Sequence, residues 1–234
     1  MRHYRRSLEL RERVGSGPGL AAAQITLAEV RYKRDGNADH ALDLFGRAYQ
    51  GAAEVHSELF VANASAAKSR IYRDQGHFDE AVRELTEAIR AMDAIHSDED
   101  VPEYFEQIAL IQLLQGQPTA AVSAAERGIA RRSSPRLAAL WQLARVRTGQ
   151  PVPPVAPATP ATDDSVVIAR LALAASRPDA ALEAATRGDD PDTLLLAARA
   201  VGPDGIDRAM RAAAAMSRAQ ELRFARERAS FGGR

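Results

Sequence analysis

Apolar and small residues recur along the first 150 residues at spacings that place them on one face of a helix. They follow three turn-like segments whose glycines, Gly36, Gly76 and Gly116, stand 40 residues apart. After each glycine, the apolar positions that the three units share are separated by 1, 3 or 4 residues. This is the pattern of a helix with one buried side. These positions are Ala41, Ala81 and Ala121; Leu42, Val82 and Val122; Phe45, Leu85 and Ala125; Ala48, Ala88 and Gly128; and Tyr49, Ile89 and Ile129.

A second apolar helical stripe precedes each of the three glycines. Each unit is therefore a helix, a glycine turn and a second helix. The recurring alanines let the paired helices approach closely, and stacking several pairs buries one continuous core that a single pair cannot form. The pattern predicts an all-α fold, an α-solenoid of stacked antiparallel helix hairpins.

The second unit, IYRDQGHFDEAVRELTEAI at residues 71–89, resembles a tetratricopeptide repeat. The matching residues are Tyr72, Gly76, Phe78, Ala81, Leu85 and Ala88. The resemblance covers about residues 1–149, with a 40-residue period in place of the usual repeat of about 34. It implies a superhelix of the long-repeat variant found in bacterial signalling and regulatory proteins.

In this family the first helices of successive units line a concave surface that binds peptides. The resemblance places Lys33, Asn63, Arg70 and Arg73 there, to within one residue of helix phase. They would form a basic strip with an asparagine, which related proteins use to clamp a peptide carboxylate. An ordinary solvated helix face also explains the same residues.

The opening stretch, HYRRSLELRERVGSGPG at residues 3–19, matches a second helix without its first. A shift of 41 residues lays Tyr4 on Phe45 and Leu8 on Tyr49. One hypothesis is that the chain is cut from a longer protein at an internal repeat, so that upstream domains cover this helix. The alternatives are a terminal cap or a contact between two copies of the chain.

The pattern changes after residue 150. The segment PVPPVAPATPAT at residues 151–162 holds five of the twelve prolines, which favours an extended polyproline II linker. Residues 163–234 are Ala-rich and predict a helical subdomain of shortened, degenerate repeats, ending in a long helix from about Asp204 to Arg228. The predicted organisation is a solenoid at 1–150, a linker at 151–162 and this subdomain.

The composition of the chain excludes several kinds of chemical site. The net charge is zero and the chain has no cysteine, which excludes disulfides and thiolate metal sites. No apolar run approaches the roughly 20 residues of a membrane span, so we expect a cytoplasmic protein. His56 and His96 occupy equivalent positions and are interpreted as turn residues, because two histidines do not make a zinc site. We expect no metal, no cofactor and no enzymatic activity.

These observations predict an interaction scaffold that binds a protein or peptide on a helical surface. The alternative is a transcriptional regulator that contacts nucleic acid through an Arg-rich C-terminal helix. Its arginines are Arg208, Arg211, Arg218, Arg223, Arg226 and Arg228. Solvation of a terminal helix explains these arginines as well, and the zero net charge gives no general attraction to nucleic acid.

Overall fold

The protein is seen here as a computed structural model that describes residues 17–151 and 163–232. Over those residues the chain forms α-helices and no strand, which confirms the predicted all-α class. The helices are α1 (Gly17–Asp35), α2 (Ala38–Glu54), α3 (Glu58–Gln75), α4 (Phe78–Ala94), α5 (Val101–Leu114), α6 (Pro118–Arg131), α7 (Pro135–Arg147), α8 (Ser165–Ala174), α9 (Pro178–Ala185), α10 (Pro191–Val201), α11 (Pro203–Met216) and α12 (Arg218–Gly232). Tyr4, Leu8 and most of the Pro-rich segment lie outside the described residues.

The chain divides into two compact units, Met1–Tyr104 and Phe105–Arg234. In the first, α1 packs on α2, α2 on α3 and α3 on α4, and α1 also contacts α3. In the second, consecutive helices pack together from α6 to α12, and α8 also contacts α10. Packing of each helix on its sequence neighbour is the arrangement of an α-solenoid.

The periodic glycines close the helix pairs, as the sequence predicts. Gly36, Gly76 and Gly116 all have left-handed backbones, with φ of 67°, 85° and 73°. At Gly76 the amide donates to the carbonyl of Arg73, and the next amide, that of His77, donates to the carbonyl of Tyr72 at 2.8 Å. This is the Schellman pattern, which needs a positive φ and so favours glycine. Gly149 ends α7 with a φ of 70°.

The turns between successive pairs use histidine in the same conformation. His56 and His96 have φ of 52° and 53°. The amide that follows each histidine donates back to the preceding helix, from Ser57 to Ala52 at 2.9 Å and from Ser97 to Met92 at 3.0 Å. Both histidines are therefore turn residues, as predicted.

The recurring small positions form the predicted core. Ala41, Ala81 and Ala121 are each at most 1% exposed. Phe45 and Leu85, one turn further along, are equally buried. The small side chains bring neighbouring backbones close together and the larger ones fill the space between the pairs.

The boundary between the two units falls inside α5. The organisation into a solenoid at 1–150, a linker at 151–162 and a helical subdomain stays a prediction. Helix α8, which follows the Pro-rich segment, packs on α7, which precedes it. The helix pairing therefore continues from one side of the proline run to the other.

The single long helix predicted from Asp204 to Arg228 is wrong. Ser217 interrupts it with an extended backbone, φ −172° and ψ 161°. Its hydroxyl accepts a hydrogen bond from the amide of Gln220 at 3.2 Å, and its carbonyl accepts one from Glu221 at 3.0 Å. Serine competes with the helical backbone for hydrogen bonds and starts helices well, so α12 begins anew after it.

Candidate functional site

The four residues of the predicted basic strip lie on two helices of the first unit. Lys33 is exposed in the last turn of α1. Asn63, Arg70 and Arg73 follow one another along α3, where Asn63 and Arg70 are half-buried and Arg73 is 8% exposed. The strip is thus only partly open to solvent.

Both arginines of the strip already bind carboxylates of the same unit. Arg70 forms an ion pair with Glu29 of α1. Arg73 lies 3.4 Å from Oδ1 of Asp74, whose Oδ2 accepts a hydrogen bond from the Tyr32 hydroxyl of α1 at 3.2 Å. The two guanidinium groups therefore belong to the packing between α1 and α3. A ligand carboxylate at the strip would have to compete with Glu29 and Asp74.

A groove of about 390 Å³ opens between α2, α3 and α4. We call it the α2–α4 groove. It is lined by Tyr49, Lys68, Tyr72, Glu80, Arg83, Glu84 and Glu87. These side chains stand on three consecutive helices, of which α2 packs on α3 and α3 packs on α4.

Ion pairs and aromatic contacts organise the groove. Lys68 of α3 pairs with Glu84 of α4. Its ammonium lies 5.5 Å from the ring centroid of Tyr49 on α2, within the range of a cation–π contact. The Tyr49 hydroxyl donates to Oε1 of Glu87 at 3.0 Å, and Arg90 binds the other carboxylate oxygen at 2.5 Å.

The titration of this cluster follows from these contacts. Burial raises the pKa of Tyr49, and the hydrogen bond to Glu87 and the negative charges of Glu87 and Glu84 raise it further, against the opposing charge of Arg90. The hydrogen bond from Arg90 holds the pKa of Glu87 below its usual range, with help from Tyr49 and against the effect of burial. The field at the Tyr49 hydroxyl is therefore negative.

Sequence reasoning missed the groove, although the repeat alignment contained a signal for it. Lys68 and Glu84 occupy the positions that Ala28 and Leu44 hold one period earlier. Ala28 and Leu44 are 0% and 4% exposed. A charged pair at two positions that are otherwise buried and apolar is unusual for a repeat scaffold.

The Arg-rich C-terminal segment is largely engaged in ion pairs within the second unit. Arg208 binds Asp179 at 2.7 Å. Further along the chain, Arg218 binds Glu221 at 2.6 Å, Arg223 binds Asp192 at 2.7 Å and Arg228 binds Asp207 at 2.5 Å. Arg223 is buried, whereas Arg211 and Arg226 are exposed. Four of the six arginines are therefore paired with carboxylates of this unit.

A buried ionic cluster lies in the second unit. Arg170 of α8 is completely buried, and it binds Glu106 and Asp190 at 2.7 Å each. It also donates to the Thr193 hydroxyl at 3.0 Å and to the Arg136 carbonyl at 2.7 Å. Burial raises the pKa of Glu106 despite the nearby charge of Arg170. The cluster joins four helices and is closed to solvent at its centre.

Residues 17–151 and 163–232 contain neither a metal-ligand cluster nor a membrane-spanning helix. No group of three or more His, Asp or Glu side chains in those ranges is placed to hold a metal ion. No described helix is long and apolar enough to cross a membrane.

Comparison of the chain with models of known protein families gives no match. Comparison with the curated proteins gives none either.

Proposed function

We propose that the chain is a non-enzymatic interaction module of the tetratricopeptide type that binds a peptide or protein segment. The proposal includes its use as a scaffold in a bacterial regulatory or signalling protein of the cytoplasm. The repeat pattern and the packing of each helix on its neighbour support this class, because stacked helix pairs expose long, rigid side-chain surfaces.

The α2–α4 groove carries the proposal. It combines two tyrosines, three glutamates and two cations on rigid helices within about 390 Å³. Aromatic side chains supply buried contact area at low entropic cost, while charged groups around them fix orientation. The basic strip supports a ligand less well, because Arg70 and Arg73 bind Glu29 and Asp74.

The experiment is selection of short random peptides on the purified full chain, followed by calorimetric titration of the enriched sequences. We expect saturable binding that Tyr72→Leu weakens by about fivefold or more, through loss of the ring and hydroxyl at the groove. Leu59→Ala is the control, because Leu59 is an exposed apolar residue of the same helix, at 43%. It should leave the affinity unchanged.

Failure to enrich any peptide contradicts the proposed function. Peptides that bind Tyr72→Leu as tightly as the unchanged protein contradict the groove as their site. A loss of affinity confined to Arg70→Gln would instead place the ligand on the basic strip.

A further inference from the structure

The second repeat unit carries an ion pair at positions that both neighbouring units make apolar. Lys68 and Glu84 have side chains that are 20% and 17% exposed. The corresponding residues one period earlier are Ala28 and Leu44, and one period later they are Ile108 and Ala124. Those four residues are all at most 6% exposed. The repeat architecture therefore has no need of charge at either position.

Stability does not explain the ion pair. Placing two charges in a largely desolvated site costs hydration, and a well-packed apolar pair of similar size is often equally or more stabilising. Holding a lysine in one conformation also costs side-chain entropy. An apolar pair is compatible with this scaffold, as Ala28 and Leu44 demonstrate, so the pair points to recognition.

The surroundings of Lys68 have the chemistry of a cation-binding site. Its ammonium contacts the face of Tyr49 and the carboxylate of Glu84 together. The groove lining has three carboxylates and two cations, and Arg90, which binds Glu87, balances the remaining charge. Burial raises the pKa of Tyr49, and the hydrogen bond to Glu87 and the charges of Glu87 and Glu84 raise it further. Lys68 is thus a cation of the chain itself that occupies this site.

We propose that the α2–α4 groove binds an arginine side chain of a partner peptide, which displaces the Lys68 ammonium from Tyr49 and Glu84. This inference rests on the proposed function and names its ligand class. Arginine fits better than lysine, because its planar guanidinium can stack on a tyrosine ring and bind a carboxylate through two hydrogen bonds. Displaced Lys68 reaches solvent through its flexible stem.

The test compares two fluorescent peptides of alternating glycine and arginine or glycine and citrulline. Citrulline keeps the shape of arginine and removes its charge. Fluorescence anisotropy with the full chain at low salt should show binding of the arginine peptide about fivefold or more tighter than that of the citrulline peptide. Backbone NMR shifts caused by the arginine peptide should cluster at the groove residues of α2, α3 and α4.

Two substitutions give opposite expected effects on that affinity. Lys68→Met removes the internal competitor and should tighten binding of the arginine peptide by about fivefold. Glu84→Gln removes the carboxylate and should weaken it by a similar factor. Arg211→Met and Asp43→Asn are the charge-matched controls, since both residues are exposed helix positions outside the groove. Each control should change affinity by less than about twofold.

Equal binding of the arginine and citrulline peptides overturns this inference. So does a Lys68→Met effect no larger than that of Arg211→Met, because a general charge effect would then suffice. In either case peptides selected in the preceding experiment could still bind the groove, and the proposed function would stand. The two proposals fail together only if neither selected nor arginine peptides bind.

Discussion

Arg170 lies completely buried in the second unit and binds Asp190 through Nη2 and Oδ2 at 2.7 Å. The same guanidinium binds Glu106 through Nη1, also at 2.7 Å. One cation therefore pairs with two carboxylates that the packing of helices brings together. Removing it would leave both acids in a desolvated site without their main cation, which is far more costly than losing a surface pair.

We expect Arg170→Met to destabilise the second unit by about 3–5 kcal/mol. The measurement is urea unfolding followed by the fluorescence of Trp141, the single tryptophan, which lies in this unit. Arg187→Met is the control, because Arg187 and its partner Glu183 are 62% and 71% exposed. It should change stability by less than about 0.5 kcal/mol. A loss of stability below about 0.5 kcal/mol in Arg170→Met would show that the ionic cluster contributes little to the stability of the second unit.

Replacing a glycine by alanine should have opposite effects on stability at two positions of the first unit. Gly76 has a φ of 85°, and open space surrounds an added Cβ. Gly76→Ala should therefore cost about 1 kcal/mol through backbone strain alone. Gly46 lies inside α2, also with open space around it. Gly46→Ala should stabilise by about 0.5–1 kcal/mol, because alanine loses less backbone entropy in a helix.

Tyrosine emission during urea unfolding measures both glycine variants, because the four tyrosines that the structure describes belong to the first unit. The unchanged protein, unfolded under the same conditions, is the reference for each variant. Stabilisation by Gly76→Ala would contradict the requirement for a left-handed residue at this turn.

The helices and turns could be predicted well from the sequence, because the rules that relate residues to helix ends and helix contacts are local. A left-handed helix end favours glycine, and close helix contact requires small side chains, so Gly76 and Ala81 reveal a turn and a core position directly. The interruption at Ser217 was missed because serine is tolerated within helices as well as at their starts. A period of 40 residues shows which positions are equivalent, but it does not show which polar groups meet.

The site was harder to predict because it depends on pairings between distant residues. Arg73 reads as a surface cation, yet it is buried beside Asp74, which binds Tyr32 at a separation of 42 residues. Lys68 and Glu84 likewise meet across two helices. Charge at a repeat position that is otherwise apolar was the available signal, and it becomes informative only when equivalent residues are compared.

His96 provides a second test of the turn geometry. It has a φ of 53°, a conformation that costs a side-chain-bearing residue about 1–2 kcal/mol. His96→Gly relieves this strain but adds unfolded-state entropy, so we expect a net stabilisation of about 0.5 kcal/mol. His77→Gly is the comparison, because His77 has a φ of −82° and gains nothing from glycine. Tyrosine-detected urea unfolding measures the stability of both variants. A His96→Gly protein that is less stable than the His77→Gly protein would contradict this prediction.

The acid response of the α2–α4 groove follows from Glu87. The hydrogen bond from Arg90 lowers the pKa of its carboxyl in the folded protein, helped by Tyr49 and opposed by burial. A carboxyl with a lower pKa when folded stabilises the protein above its unfolded pKa, about 4.3 for glutamate. That contribution is lost as the pH falls from about 4.3 through the folded value.

Carbon NMR of the Glu87 carboxyl should therefore show titration below the usual range, and Arg90→Met should raise its pKa. In Glu87→Gln the tyrosine-detected stability of the first unit should fall less steeply with acid than in the unchanged protein, because this titration is absent. Asp43→Asn, at an exposed position of α2, should leave the acid response as it is. Titration of Glu87 at or above the ordinary glutamate pKa would mean that Arg90 and Tyr49 do not hold the carboxylate in solution.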